Sequence, residues 1–221
     1  MTTPQQNDIP NGPQALAFTD RPLTKVHKFY IVGEIKRPDE YTQWFETIRN
    51  APETDIIVFH INSHGGDLFT TIQFLRIMSE CKATIVASVE GACMSAATLI
   101  FLAANHWEIS SHSMFMFHNY STLTGGKGGE IYDSIVHERK WSQKLFKDTY
   151  SGFLTTDEIT SILHNKDIWM SGEDVQKRLI EKGKMSAPKS KKAPTPRKTK
   201  KTTKTTTKRK TPVKKPTRAK S

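Results

Sequence analysis

The chain is poor in cysteine and has no long apolar run, and both shortages limit what it can be. Among 221 residues there are only two cysteines, Cys81 and Cys93. Two are too few for a disulfide-stabilised scaffold, and no spacing of histidine and cysteine suggests zinc. The longest apolar run, 94–104, is too short to cross a bilayer. The polar start of the chain, 1–22, lacks the apolar core of a secretion signal. We therefore expect a cytoplasmic protein with no metal, cofactor or membrane partner.

Acidic residues are missing from the end of the chain. Residues 184–221 hold 16 of the 33 lysines and arginines and none of the 22 acidic residues. Such a segment cannot bury enough apolar surface to order itself, so we predict a disordered tail. It is either a solvated segment with no single partner or a non-specific contact to nucleic acid. The predicted organisation is a flexible arm at 1–24, one domain at 25–183 and this basic tail.

Strand-like and helix-like segments alternate between these two ends. Residues 56–61 are almost continuously apolar, which predicts a strand buried on both faces of a parallel sheet. Residues 29–32, 84–89 and 114–117 predict further strands, with amphipathic or apolar helices between them. The pattern indicates an α/β fold with a mostly parallel sheet. Because strand-to-helix turns lie at the carboxyl edge of such a sheet, the predicted turns at 62–66 and 91–95 and the strand end at His118 should meet there.

Three side chains near that edge could carry acyl-transfer chemistry. Such chemistry needs a nucleophile, a base, an acid that orients the base, and N–H groups that face the oxyanion. Ser95 follows a glycine-led turn and begins a helix, His118 ends a strand, and Asp167 precedes the strand-like residues 168–170. Each has an ordinary alternative: a helix cap for Ser95, a satisfied polar group for His118 and a turn residue for Asp167.

Two other features are less specific. The glycine-rich stretch 125–129 is typical of a loop, and it lacks the Lys-Ser/Thr ending of a phosphate-binding loop. A long amphipathic helix is predicted after it, at about 130–150. Asp39 and Asp67 are candidate N-caps of the first two helices. Thr155 with Glu158, and Ser171 with Asp174, predict the starts of the last two helices.

Four segments resemble one family of peptidases. Residues 61–66, Ile-Asn-Ser-His-Gly-Gly, resemble the Ile-Asn-Ser-Pro-Gly-Gly motif of the Clp protease proteolytic subunit (ClpP). Residues 91–97 are similar to that family's nucleophile segment. Residues 114–119 are similar to its Met-x-x-His-Gln/Asn segment, and 166–171 to its Arg-Asp-x-x-Met/Leu-Ser segment. The four occur in the family's order within roughly 27–183.

The resemblance implies the spiral of ββα units that ClpP shares with crotonases, and a serine-type endopeptidase activity. It implies Ser95 as nucleophile, His118 as general base and acid, and Asp167 as orienting acid. The implied oxyanion hole is formed by the N–H groups of Gly66 and Ala96, with Gly65 as the alternative to Gly66.

The family also implies partners. A polypeptide substrate would bind as an extended strand along the glycine loop at Gly125 and Gly126. The chain would form a homo-oligomer, as a heptameric ring that can stack on a second ring through the helix at 130–150. An AAA+ unfoldase ATPase would be the expected partner of an ATP-dependent Clp protease.

The sequence departs from the housekeeping pattern at several motif positions. His64 replaces a proline, Ala96 and Ala97 replace Met-Gly, and Asn119 and Tyr120 replace Gln-Pro. These residues, with Asp67, are closer to ClpP-like proteases encoded by bacteriophages, for which the host cytoplasm is the expected location. Two competing functions are a catalytically silent scaffold of the same fold acting through its basic tail, and an acyl-CoA enzyme of the crotonase type.

Overall fold

A six-stranded sheet with helices packed against it forms the domain in the computed structural model, which describes residues 23–184. The strands are β1 (Val26–Ile35), β2 (Ile56–Gly66), β3 (Thr84–Met94), β4 (His106–Ile109), β5 (Met114–Phe117) and β6 (Ile168–Ser171). The helices are α1 (Thr42–Asn50), α2 (Leu68–Glu80), α3 (Ala96–Leu102), α4 (Gly128–Tyr150), α5 (Thr156–Leu163) and α6 (Gly172–Glu181), and a 3-10 turn at Pro38–Tyr41 precedes α1.

The sheet is mostly parallel, as the alternating pattern predicts. Its order is β1-β2-β3-β5-β6, and β4 pairs with β3 beside this path. Only β6 runs antiparallel, against β5. The two short strands share β3, because β4 pairs with its residues 86–89 and β5 with its residues 92–94. An eleven-residue strand thus serves two neighbours in succession.

The predicted turns at 62–66 and 91–95 start too early. β2 continues to Gly66, and its last residues pair with Glu34 and Ile35 of β1. The side chain of Ser63 is fully buried there and donates to the carbonyl of Gly33 at 2.6 Å. Gly33 does not end β1 either, because it lies at a register shift inside the strand. Pairing between distant strands therefore overrides the local turn signal of the glycines.

The prediction that residues 56–61 are buried on both faces is wrong. Ile57, Phe59 and Ile61 are fully buried, but the alternate side chains of Ile56, Val58 and His60 are only half-buried. The buried face packs on helices, where Phe74 of α2 contacts Phe59 at 5.9 Å between ring centroids. The continuous apolar run therefore covers one completely buried face and one partly exposed face.

Helix starts agree well with the sequence. Asp67 caps α2 by accepting from the Thr70 N–H at 2.6 Å. Capping boxes begin α5 at Thr155 and α6 at Ser171. Asp39 is not a cap, since it lies inside the 3-10 turn and accepts a side-chain bond from Thr42 through its carbonyl. The strand β4 has no counterpart in the prediction.

Two sequence predictions lie almost entirely outside the described residues: the flexible arm at 1–24 and the basic tail at 184–221. None of the helices within 23–184 combines the length and the apolar content needed to cross a membrane.

Candidate active site

The carboxyl edge of the sheet brings Ser95, His118 and Gly66 to one cavity of about 300 Å³. Ser95 follows β3, His118 follows β5, and Gly66 ends β2. β5 pairs with the last three residues of β3, so the residues that follow these two strands are neighbours. The Ser95 N–H donates to the carbonyl of Met116 at 2.8 Å, which holds the end of β3 beside β5.

The backbone of Ser95 adopts a conformation that residues with side chains rarely take. Its φ is 54° and its ψ is −129°. Such a conformation costs on the order of 1–3 kcal/mol and is maintained by its surroundings. It produces a sharp change of direction from β3 into α3, so that the serine lies at the tip of the turn. The same strand–serine–helix arrangement presents the nucleophile of many hydrolases.

Ser95 is not a side-chain cap of α3. It occupies the N-cap position, but its hydroxyl makes no hydrogen bond to the first turn of the helix. Instead, the Oγ atom lies 2.6 Å from Nε2 of His118. The ordinary alternative for Ser95, a helix cap, therefore fails, whereas the alternative for His118, a satisfied polar group, is compatible with this contact. A hydroxyl hydrogen-bonded to an imidazole is the contact that proton transfer requires.

A buried hydroxyl pair supports the strained turn from behind. Both the N–H and the hydroxyl of Thr98 donate to the Ser95 carbonyl, at 2.9 Å and 2.6 Å. The Thr98 hydroxyl also lies 2.9 Å from the phenol of the fully buried Tyr150. Because the proton of Thr98 is already committed, Tyr150 is the donor in that pair. α4 thereby positions the backbone of Ser95, a link that no sequence pattern indicated.

The environment of His118 favours the neutral imidazole. The side chain is half-buried, and burial lowers the pKa of His118 below 6.5. The negative charge of Asp167 acts in the opposite direction and raises it in part. Neutral histidine is the form that accepts a proton from serine.

Asp167 is near His118 but not bonded to it. Within residues 23–184, no hydrogen bond joins the two side chains, and Asp167 is exposed. The loop that carries it is bonded instead to the residue after the histidine, through the Asn119 side-chain amide, which donates to the Asn165 side-chain oxygen at 2.9 Å. Asn165 has a φ of 63°, which asparagine tolerates better than most residues.

The two glycines that end β2 are needed for different reasons. A Cβ atom on Gly65 would lie 2.6 Å from Cβ of Ser95, so any larger residue would displace the serine. A Cβ atom on Gly66 would lie 2.3 Å from the Ile35 carbonyl oxygen. The N–H of Gly65 donates to the Ser63 hydroxyl at 3.1 Å. Of the two glycines, Gly66 lines the cavity.

Ala96 also lines the cavity and is the first residue of α3. An N–H at this position has no partner within a helix, so it can donate to a ligand. The N-terminal end of the helix adds a partial positive charge at the same point. Gly66 and Ala96 thus line the same cavity as Ser95.

The other predicted positions lie further out. Gly125 and Gly126 are exposed in the segment before α4, beyond the part of that segment that lines the cavity. His64 is an exposed residue of β2. Among the described residues, no group of histidine, cysteine and acidic side chains is arranged to bind a metal ion.

The chain is similar to one protein family in sequence and to a solved structure in fold. The family model described as Clp protease matches residues 25–182. The structure of the ClpP1 N165D mutant from Listeria monocytogenes superposes with a TM-score of 0.53 at 19% identity, covering 69% of this chain and 86% of that one. This likeness shows the ClpP fold. No curated protein matches the sequence significantly.

Proposed function

Because the chain belongs to the Clp protease family, and is therefore a ClpP-like peptidase, we propose that it is a serine endopeptidase whose nucleophile is Ser95. The observation that carries this proposal is the 2.6 Å contact between the Ser95 hydroxyl and Nε2 of His118. Both residues line a cavity large enough for a substrate side chain.

The proposed reaction has two halves. His118 takes the hydroxyl proton as Ser95 Oγ attacks the peptide carbonyl, and the N–H groups of Ala96 and Gly66 stabilise the oxyanion. The protonated His118 then donates that proton to the leaving amine, and an acyl-enzyme remains. Water, deprotonated by His118, attacks the ester carbonyl. Collapse of the second tetrahedral intermediate releases the carboxylic acid product, and the proton returns to Ser95.

Asp167 is the proposed orienting acid. Its charge already acts on His118, which supports the assignment. Direct orientation requires the exposed carboxylate to approach Nδ1 of the imidazole. The bond between Asn119 and Asn165 holds the loop of Asp167 to the residue after His118.

A homo-oligomeric ring is the proposed assembly, and a heptamer that can stack on a second ring is its specific form. The family suggests it, and exposed apolar side chains support it. Tyr30 and Val32 of β1 are 55% and 64% exposed, and Trp169 of β6 is 54% exposed. Such area is usually covered in an assembly. Light scattering of the purified protein should give a mass of seven or fourteen chains, and a monomer would contradict the ring.

The finer assignments rest on the sequence. The proposed polypeptide substrate binds as an added strand near Gly125 and Gly126, and an AAA+ unfoldase delivers it. The residues at 64, 67, 96–97 and 119–120 support a bacteriophage-type enzyme of the host cytoplasm. The basic residues of 184–221 support non-specific binding of nucleic acid. Truncation after Lys184 should abolish a low-salt DNA shift, and an unchanged shift would refute that role.

Labelling with a fluorophosphonate tests the enzymatic proposal. The wild type should form a covalent adduct and cleave peptides, whereas Ser95→Ala should do neither. His118→Ala should react far more slowly because its serine has no base. Ser110→Ala is the matched control, since Ser110 is an exposed serine at the end of β4 that does not line the cavity. An adduct that persists in Ser95→Ala would remove Ser95 from its role.

A catalytically silent scaffold is the second candidate function. The missing hydrogen bond between Asp167 and His118 favours it, because an unoriented base is a weak one. An unlabelled wild type that still assembles into rings would support the scaffold.

A further inference from the structure

Beside Ser95, the cavity has apolar walls and one carboxylate without a partner. Leu68, Phe69, Trp141 and Phe146 supply the walls, and Glu138 of α4 supplies the carboxylate. Glu138 is half-buried. Within residues 23–184 it makes neither a hydrogen bond nor an ion pair, although other acidic residues of α4 are paired, such as Asp148 with Lys144.

No basic side chain of the described residues lines this cavity except His118. The second carboxylate there, Asp67, is engaged as the cap of α2. Arg139 follows Glu138 in sequence but is exposed and does not line the cavity. The charge of Glu138 acts inside the cavity, since after burial it is the next cause that raises the pKa of Tyr120, another lining residue, and the charge of Arg139 lowers that pKa in part.

The aromatic walls suit a long aliphatic stem that ends in a cation. The rings of Phe69 and Trp141 stack at 5.5 Å between centroids, with 23° between their planes, and connect the start of α2 to α4. Lysine and arginine bury their methylene stems along apolar surface and keep the charged head on a polar partner. Arginine also stacks on indole faces. An acidic substrate side chain would instead meet the negative charge of Glu138.

We propose that this cavity is a subsite for a lysine or arginine side chain of the substrate, and that Glu138 determines this preference. The inference rests on the proposed function, because it assigns the substrate class of the site at Ser95. The chain's own tail belongs to that class, with 16 basic residues in 184–221 and no acidic ones.

Cleavage-site profiling on an unbiased peptide mixture tests the preference. With the wild type, lysine or arginine should be enriched about tenfold at one position within two residues of the cleaved bond, as expected for a charge-assisted contact. E138Q should remove most of that enrichment. E138K should reverse it in favour of aspartate and glutamate. Asp133→Asn is the matched control, an exposed acidic residue of α4 outside the cavity, and it should keep the wild-type profile.

Binding to Ser95→Ala separates this inference from the proposed function. Fluorescence anisotropy should show a labelled peptide with a central arginine binding about tenfold more tightly than its norleucine analogue, and E138Q in the Ser95→Ala background should abolish the difference. Cleavage by the wild type without basic enrichment would overturn the subsite and leave the peptidase intact. Glu138-dependent binding to a protein that neither labels nor cleaves would support the subsite and refute the peptidase.

Discussion

α2 and α3 begin in the same way but use their N-cap residues for opposite purposes. Both helices follow a long parallel strand at the same edge of the sheet. Asp67 has an ordinary backbone conformation, and its carboxylate accepts a hydrogen bond from the Thr70 N–H. Ser95 has a strained backbone conformation, and its hydroxyl is hydrogen-bonded to His118. The Asp67 cap stabilises the fold, whereas the strain at Ser95 lowers stability and exposes a reactive group. An N-cap position therefore reveals nothing about function until the partner of its side chain is known.

Replacing Ser95 should have the largest effect of the substitutions at these two N-cap residues, because it removes the reactive hydroxyl. Ser95→Ala and Ser95→Gly should each lower kcat/KM on the order of 10⁶-fold, because both remove the nucleophile. Ser95→Gly should be more stable than Ser95→Ala by about 1 kcal/mol, since glycine relieves the strain at a φ of 54°.

Asp67 supplies the contrast to that pair. Asp67→Ala should lower the free energy of unfolding by about 1 kcal/mol, as loss of a side-chain cap does. Urea denaturation at one protein concentration measures all three variants. Equal stability of Ser95→Gly and Ser95→Ala would show that the turn is not strained.

Gly65 is the residue of β2, the strand before α2, that lies against Ser95, the N-cap residue of α3. Gly65→Ala should lower activity about a hundredfold, because its Cβ would lie 2.6 Å from Cβ of Ser95 and displace it. Gly33→Ala is the matched control: Gly33 has a φ of +73° against +95° for Gly65, but no atom lies within 4 Å of its Cβ. Both should lose stability by urea denaturation, and only Gly65→Ala should lose activity. A similar loss of activity in both would implicate backbone strain rather than the clash.

The fall of kcat/KM at acidic pH should test the role of Asp167. His118 must be neutral to act as a base, and burial lowers its pKa, so activity should fall through a midpoint below 6.5. Asp167 raises that pKa in part, so Asp167→Asn should move the midpoint of kcat/KM to lower pH. We also expect a loss at neutral pH from poorer orientation of the imidazole, smaller than the roughly 10⁴-fold loss for an orienting Asp that is hydrogen-bonded to its histidine. An unchanged midpoint would exclude Asp167 as a neighbour of the working base.

The hydrogen-bonded pair of Thr98 and Tyr150 should show its effect in stability. Tyr150→Phe removes the outer hydrogen bond and should cost about 1 kcal/mol of stability. Thr98→Val leaves the buried phenol without a partner and should cost about 2 kcal/mol. In the double variant that unpaired phenol is absent, so its cost should be less than the sum. Additive costs in urea denaturation would show that the two hydroxyls do not interact.

Local chemistry explains what could be predicted from the sequence. The helix starts at Asp67, Thr155 and Ser171 depend on hydrogen bonds to residues only three positions further along the chain, and the structure confirms them. The parallel sheet follows from alternating apolar segments, which any chain of this pattern must bury. The pairing of Ser95 with His118 was also predictable, because both follow strands whose ends meet at one edge. The identity of the family entered through four short motifs.

Only the tertiary structure decided the rest, and the physical reason is contact between distant residues. The glycines at 65 and 66 resemble a turn, yet pairing with β1 keeps them in a strand. Position 65 requires glycine because a side chain there would collide with the Cβ atom of Ser95. The hydroxyl of Tyr150 reaches Thr98 across 52 positions of sequence. Glu138 meets the cavity only because α4 packs beside it. A sequence determines which groups are available, whereas packing determines which of them remain without a partner and can act on a substrate.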